Sequence, residues 1–137
     1  MSFTFRKEER LCSRRLIDQL YAEGHRLMAF PFSVQWMAVE RGQLHAEGCQ
    51  VMIVAPKRRF HHAVDRNRVR RLVRECYRQR KESLYAFLKE HDTGIVFSMV
   101  YVHNEIFAYD QLGHKMDKML LALEKDIAQK LAESPAT

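Results

Sequence analysis

Residues 66–74 read Arg66-Asn67-Arg68-Val69-Arg70-Arg71-Leu72-Val73-Arg74. Wound into a helix, Val69, Leu72, Val73, Cys76 and Tyr77 share one arc, which Leu84, Phe87 and Leu88 extend if the helix continues. That arc is the expected buried side. Arg66, Arg70 and Arg74 form an i, i+4, i+8 column on the opposite side, with Asn67, Arg71 and Arg78 beside it and Arg68 projecting apart. Each like-charge i, i+4 pair costs an isolated helix about 0.2–0.5 kcal/mol, so the column makes sense chiefly if a phosphate backbone offsets the repulsion. Between Lys57 and Lys81, eleven Lys or Arg stand against Asp65 and Glu75, a net +9, whereas the whole chain carries +6. The remaining 12 basic and 15 acidic residues sum to −3, so the positive charge is concentrated in one place. Solvated helix faces usually mix both signs, and this one expects a polyanion.

Outward from this helix the chain alternates between helical and extended patterns. Upstream, Cys49 to Ala55 reads as a strand that Pro56 ends, and a loop leads from there to the basic helix. Before it, Phe32 to Val39 alternates at period two as a half-buried strand, with Phe32, Val34, Trp36 and Ala38 on its core face. Glu40 to Gly48 suits the turn between these two strands, and Arg26 to Met28 suits a short strand. Ser13 as N-cap, Leu16, Ile17, Leu20 and Tyr21 at helical spacing, and Gly24 as the closing glycine place a first helix over about residues 14–23. Downstream, Gly94 to Val102 is the most continuous apolar run and predicts a central strand covered on both faces. Leu112, Met116, Met119, Leu120, Leu123, Ile127 and Leu131 mark a last helix, and 134–137 reads as a frayed tail. The sequence predicts one domain over 1–133.

Composition narrows the function classes. No apolar run approaches the ~20 residues of a membrane span, and the opening residues hold no signal-peptide core, so a cytoplasmic protein is expected. Cys12, Cys49 and Cys76 are odd in number and widely spaced, which argues for reduced thiols rather than disulfides or a zinc site. No Ser-His-Asp, Cys-His or paired-carboxylate set stands out, so no catalytic and no metal-ligating residue is assigned. His61-His62 reads as a polar loop element near the basic helix. A DNA-binding regulator would need a helix-turn-helix partner, whereas here a strand and a Pro56-containing loop precede the basic helix. Membrane docking would want a bulkier exposed apolar face. A general RNA-binding or ribosome-associated module is not separated by charge alone.

The run Lys57-Arg58-Arg59, then Ala63 to Glu75 with its Arg66-Asn67-Arg68 core, resembles the signature of the protein subunit of bacterial ribonuclease P. Thr4 to Leu11 resembles that family's opening, Leu16 to Gly24 its first helix and Asp92 to Tyr101 its last strand, so the resemblance covers about residues 3–125. It implies an α+β domain of order α-β-β-β-α-β-α, with a four-stranded sheet and a left-handed β-α-β crossover. It further implies an endoribonuclease whose catalyst is the RNA subunit with its Mg2+ ions. The protein, inactive alone, would bind that RNA and the 5′ leader of precursor tRNA and promote leader removal.

Site residues follow from the charge column and from the resemblance together. Lys57, Arg58, Arg59, Arg66, Asn67, Arg68, Arg70, Arg71, Arg74 and Arg78 are expected to contact the catalytic RNA, since guanidinium forks suit bidentate phosphate contact. The resemblance assigns leader binding to Ile17, Tyr21 and Gln35. Only Tyr21 offers a ring that stacks on a base of any identity.

Overall fold

The computed structural model describes residues 7–40 and 48–133. The expected turn over 40–48 falls mostly outside the described residues, as do the family-like opening before residue 7 and the tail 134–137. A single 3-10 turn, Lys7–Glu9, precedes helix α1, Arg14–Glu23. Strands β1 (His25–Ala29), β2 (Phe32–Val39) and β3 (Cys49–Val54) follow. Helix α2, Ala63–Glu90, then leads to β4, Gly94–Tyr101, and to α3, Tyr109–Glu133. The order of helices and strands is the α-β-β-β-α-β-α expected from the sequence.

In space the strands lie in the order β1-β2-β4-β3. β4 pairs antiparallel with β2 and parallel with β3, so α2 is the crossover between two parallel neighbours. One sheet face meets α2 and α3 through Phe32, Val34, Trp36, Val51, Phe97 and Met99, packed on Val73, Tyr77, Leu84, Met116 and Leu123 among others. The other face holds a smaller cluster of Leu11, Leu16, Leu20, Met37 and Val96 under α1. β4 is buried on both faces, as its unbroken apolar run predicts.

β2 departs from its half-buried reading. Gln35 and Met37 on its second face are buried because α1 packs there. Ala38, expected in the core, is exposed. β1 pairs no further along β2 than His25 with Trp36, so Ala38 lacks a neighbour on that side.

Capping follows chemistry that the sequence signals in part. The Ser13 hydroxyl accepts from the Leu16 N–H at 3.3 Å, closing the start of α1. Gly24 ends that helix without left-handed backbone, at φ −68°. Its role is close approach, because a Cβ there would lie 2.4 Å from the Leu20 carbonyl oxygen and 2.8 Å from the Gln35 Cγ. α2 ends through Asp92, whose φ of 49° turns the chain while the Thr93 N–H donates to the Leu88 carbonyl. Asp takes the place where glycine is more usual.

A buried polar cluster fastens the 3-10 turn to α2. The Lys81 ammonium pairs with the Glu9 carboxylate, and the Tyr85 hydroxyl donates to the same oxygen. Lys81 is only 3% exposed, so neither charge is screened by water. Next to this cluster the Cys49 sulfur lies 3.7 Å from the Tyr77 hydroxyl, and burial pushes the Cys49 thiol up to about 12. Cys49 and Cys76 are buried free thiols, and Cys12 is exposed.

Candidate nucleic-acid interface

Nothing in the local sequence of the α2 start satisfies the helix end through a side chain. His62 occupies the N-cap in extended conformation and its ring makes no capping bond. Arg66 closes the entrance instead, its Nη1 donating to the carbonyls of Phe60 and His61 at 2.9 Å each. One guanidinium of the column is thus partly committed to shaping the loop. Asn67 steadies the next, its side-chain carbonyl accepting from Arg70.

The column then runs outward as predicted. Arg68, Arg71 and Arg74 are exposed, and Arg70 is half-buried beside them. Among the described residues no salt bridge involves Arg66, Arg68, Arg70, Arg71 or Arg74. Partial burial, and then the charges of Arg10, Arg70 and Arg71, hold the Arg74 guanidinium below its usual value. The smaller, arginine–arginine part of that shift reflects crowding of like charge, which an approaching phosphate would relieve.

Arg10 was not among the residues singled out from sequence. It reaches the column because the chain after the 3-10 turn bridges to β3, Arg10 pairing with Val51. No local signal marks it, since that bridge joins segments far apart in sequence.

Two other expected contacts have internal partners. Arg78 pairs with Glu75, which raises the guanidinium above its ordinary value and lowers the carboxyl below its own. Arg59 donates through Nη1 to the Asn104 side-chain carbonyl at 3.0 Å, and its Nε is buried with no partner among the described residues. Lys57 and Arg58, in the loop before the helix, are exposed. The structure therefore gathers Lys57, Arg58, Asn67, Arg68, Arg70, Arg71 and Arg74 around the first turns of α2 and sets Arg78 apart.

The second expected site lies on the sheet face that α1 covers. Ile17 and Tyr21 are one turn apart on α1, and Gln35 lies beneath the end of that helix. The Gln35 amide donates to the Leu20 carbonyl at 3.0 Å and to the Tyr21 carbonyl at 3.4 Å. The Leu20 carbonyl already accepts from the Gly24 N–H at 2.7 Å, so Gln35 adds a second bond there and reaches the Tyr21 carbonyl in the open last turn. Ile17 is half-buried against the small cluster. Tyr21 is 47% exposed and offers its ring to solvent. Beyond α1 the same sheet face stays open at Met28 and Ser33, paired across β1 and β2. Met28 is an unassigned apolar contact on that strip.

His61 and His62 are exposed, and among the described residues no group of three or more His, Cys, Asp or Glu is arranged to hold a metal ion. No helix among them is long and apolar enough to cross a membrane.

Comparison with known proteins agrees with the reading of the basic helix. The family model described as ribonuclease P matches residues 5–123. A ribonuclease P protein component of Porphyromonas gingivalis is 32% identical over 127 residues, covering 92% of this chain and 90% of its own. One from Nitrosococcus oceani is 34% identical over 82 residues, covering 60% of this chain and 65% of its own. Among solved structures, the Staphylococcus aureus RNase P protein superposes with a TM-score of 0.64 at 16% identity, covering 84% of this chain and 94% of that one. The Thermotoga maritima RNase P protein does so with a TM-score of 0.61 at 21% identity, covering 82% and 94%.

Proposed function

The chain belongs to the ribonuclease P protein family, the protein components of an endoribonuclease ribonucleoprotein, and from that premise we propose how its surfaces divide the work. The first turns of α2, with Lys57, Arg58 and Arg10, bind phosphates of the ribonuclease P RNA. The observation that carries this reading is the set of five arginines, Arg66 to Arg74, that have no carboxylate partner among the described residues. Forked guanidiniums on a rigid helix fix register on an RNA backbone without reading its sequence.

The strip between Tyr21 and Met28 contacts the 5′ leader of precursor tRNA, with Tyr21 stacking on one base. Gln35 acts here by holding the end of α1 in place, and Ile17 by packing under it. Mg2+ is carried by the RNA, which performs the cleavage, and the protein raises affinity for RNA and substrate in the cytoplasm.

Reconstitution tests the whole reading. The protein mixed with the host's ribonuclease P RNA at low Mg2+ should cut precursor tRNA at the mature 5′ end, and neither component should do so alone under those conditions. If six phosphate contacts form, log K for the RNA should fall against log salt with a slope of about −4 to −5. A nearly flat salt response would remove the phosphate reading.

A further inference from the structure

The end of the sheet where α2 begins also carries a cluster of rings that the basic face does not explain. Phe30, in the tight turn between β1 and β2, is 48% exposed. The His103 ring lies 5.1 Å from it between centroids, tilted by 67°, and the Phe107 ring 6.0 Å from it, tilted by 89°. His103 in turn stacks on Phe107 at 4.9 Å, 26° from parallel. The Lys115 ammonium lies 5.9 Å from the centroids of both Phe30 and Phe107, at the limit of cation–π contact.

Hydrogen bonds hold this arrangement open. The Tyr101 hydroxyl donates to the Glu105 carbonyl at 2.7 Å and accepts from the Phe107 N–H at 3.2 Å. The Val102 N–H donates to the Pro31 carbonyl at 2.7 Å, tying the segment after β4 to the turn that bears Phe30. The Arg59 bond to Asn104 ties the same segment to the loop bearing Lys57 and Arg58. The rings therefore stand on a braced rim next to the start of the basic helix.

We propose that Phe30, with His103 and Phe107 behind it, is a stacking platform for one unpaired base of the RNA held by α2. The inference rests on the proposed function. Charge supports an RNA occupant over an apolar partner, because the Lys115 ammonium lies against the rings and the Arg59 bond to Asn104 brings the Lys57-Arg58 loop to the same segment. A base presents a π face to Phe30 whatever its identity, and Lys115 is placed to take the adjoining phosphate.

Phe30→Leu keeps apolar volume in the turn and removes the ring, and Phe30→Trp restores a ring. Affinity is measured in two arms, each protein with ribonuclease P RNA and each reconstituted holoenzyme with precursor tRNA. Phe30→Leu should weaken the first arm by about tenfold, as stacking of one base implies, with an unchanged salt slope and with rescue by Phe30→Trp. Loss in the first arm supports the platform on the ribonuclease P RNA, and loss confined to the second overturns it. Parental affinity of Phe30→Leu in both arms overturns the platform while leaving the basic-helix reading intact. Failure of the parent protein to bind ribonuclease P RNA overturns that reading and the platform with it. Circular dichroism shows whether the variant is folded, and Lys115→Ala, on a different element, must reproduce the loss in the same arm or the platform fails.

Discussion

The two halves of α2 carry the same kind of residue for opposite ends. From Arg66 to Arg74 no guanidinium has a carboxylate partner among the described residues, and beyond Arg66, which is bonded to loop carbonyls, they face outward. From Glu75 to Lys81 each cation is matched, Arg78 by Glu75, Arg80 by Asp117 at 2.9 Å and Lys81 by Glu9. The first half concentrates unfavourable positive charge, which on the proposed function RNA phosphates would relieve, and the second fastens the helix to the rest of the fold. A count of basic residues does not tell these roles apart, because two of the three deciding acids, Asp117 and Glu9, come from α3 and from the 3-10 turn.

The sharpest way to break the comparison is to remove the buried cation. Lys81→Met leaves the Glu9 charge uncompensated and should cost about 3–5 kcal/mol in urea unfolding. Glu9→Gln combined with Lys81→Met should recover much of that loss. RNA affinity of the folded fraction should stay parental. A single variant as stable as the parent would show that the second half anchors nothing.

Next in size is the outward half. Arg71→Ala with Arg74→Ala should weaken RNA binding and lower the steepness of the log–log salt plot by about 1.4–1.8 for two lost phosphate contacts. Folding stability should stay within about 0.5 kcal/mol or rise slightly, since the change relieves like-charge repulsion. An unaltered salt slope would place the phosphate contacts elsewhere. Tyr21→Ala then separates stacking from charge. It should reduce the preference for long-leader over leaderless precursor by about 1–3 kcal/mol, with the salt slope unaffected. Equal processing ratios in variant and parent would take Tyr21 out of the site.

The smallest effect belongs to Arg80→Ala, which loses an ion pair at the surface between α2 and α3. Stability should fall by less than about 1 kcal/mol, and RNA binding should not change. Gly113 bears on the same contact, because a Cβ there would lie 2.5 Å from the Arg80 Nη2. A drop in RNA affinity for Arg80→Ala would move the boundary between the two halves further along the helix.

Much of the fold was legible because it depends on local pattern. The Ser13 cap, the apolar arc of α2, the unbroken run of β4 and the stripe of α3 each point to the element that forms. What stayed hidden depends on distant partners. Gln35 gave no sign that it would satisfy the end of α1, and Arg10 none that a bridge to β3 would carry it beside Arg74. Lys81 did leave a trace, since it falls on the buried arc between Tyr77 and Leu84, where an ammonium needs a counter-ion. Ala38 shows the reverse case, an alternating strand that outruns the neighbour meant to shield it.

The strand order carries a consequence for biosynthesis. The middle position next to β3 is filled by the last strand to leave the ribosome, so β3 stays an unzipped edge until residue 101 has been made. Once about 90 residues had emerged, the polybasic segment would be on display while β3 still lacked its partner strand. Such late, long-range closure is slow by topology and exposes sticky surface on the way, and early encounter with RNA would shield the charge during that interval.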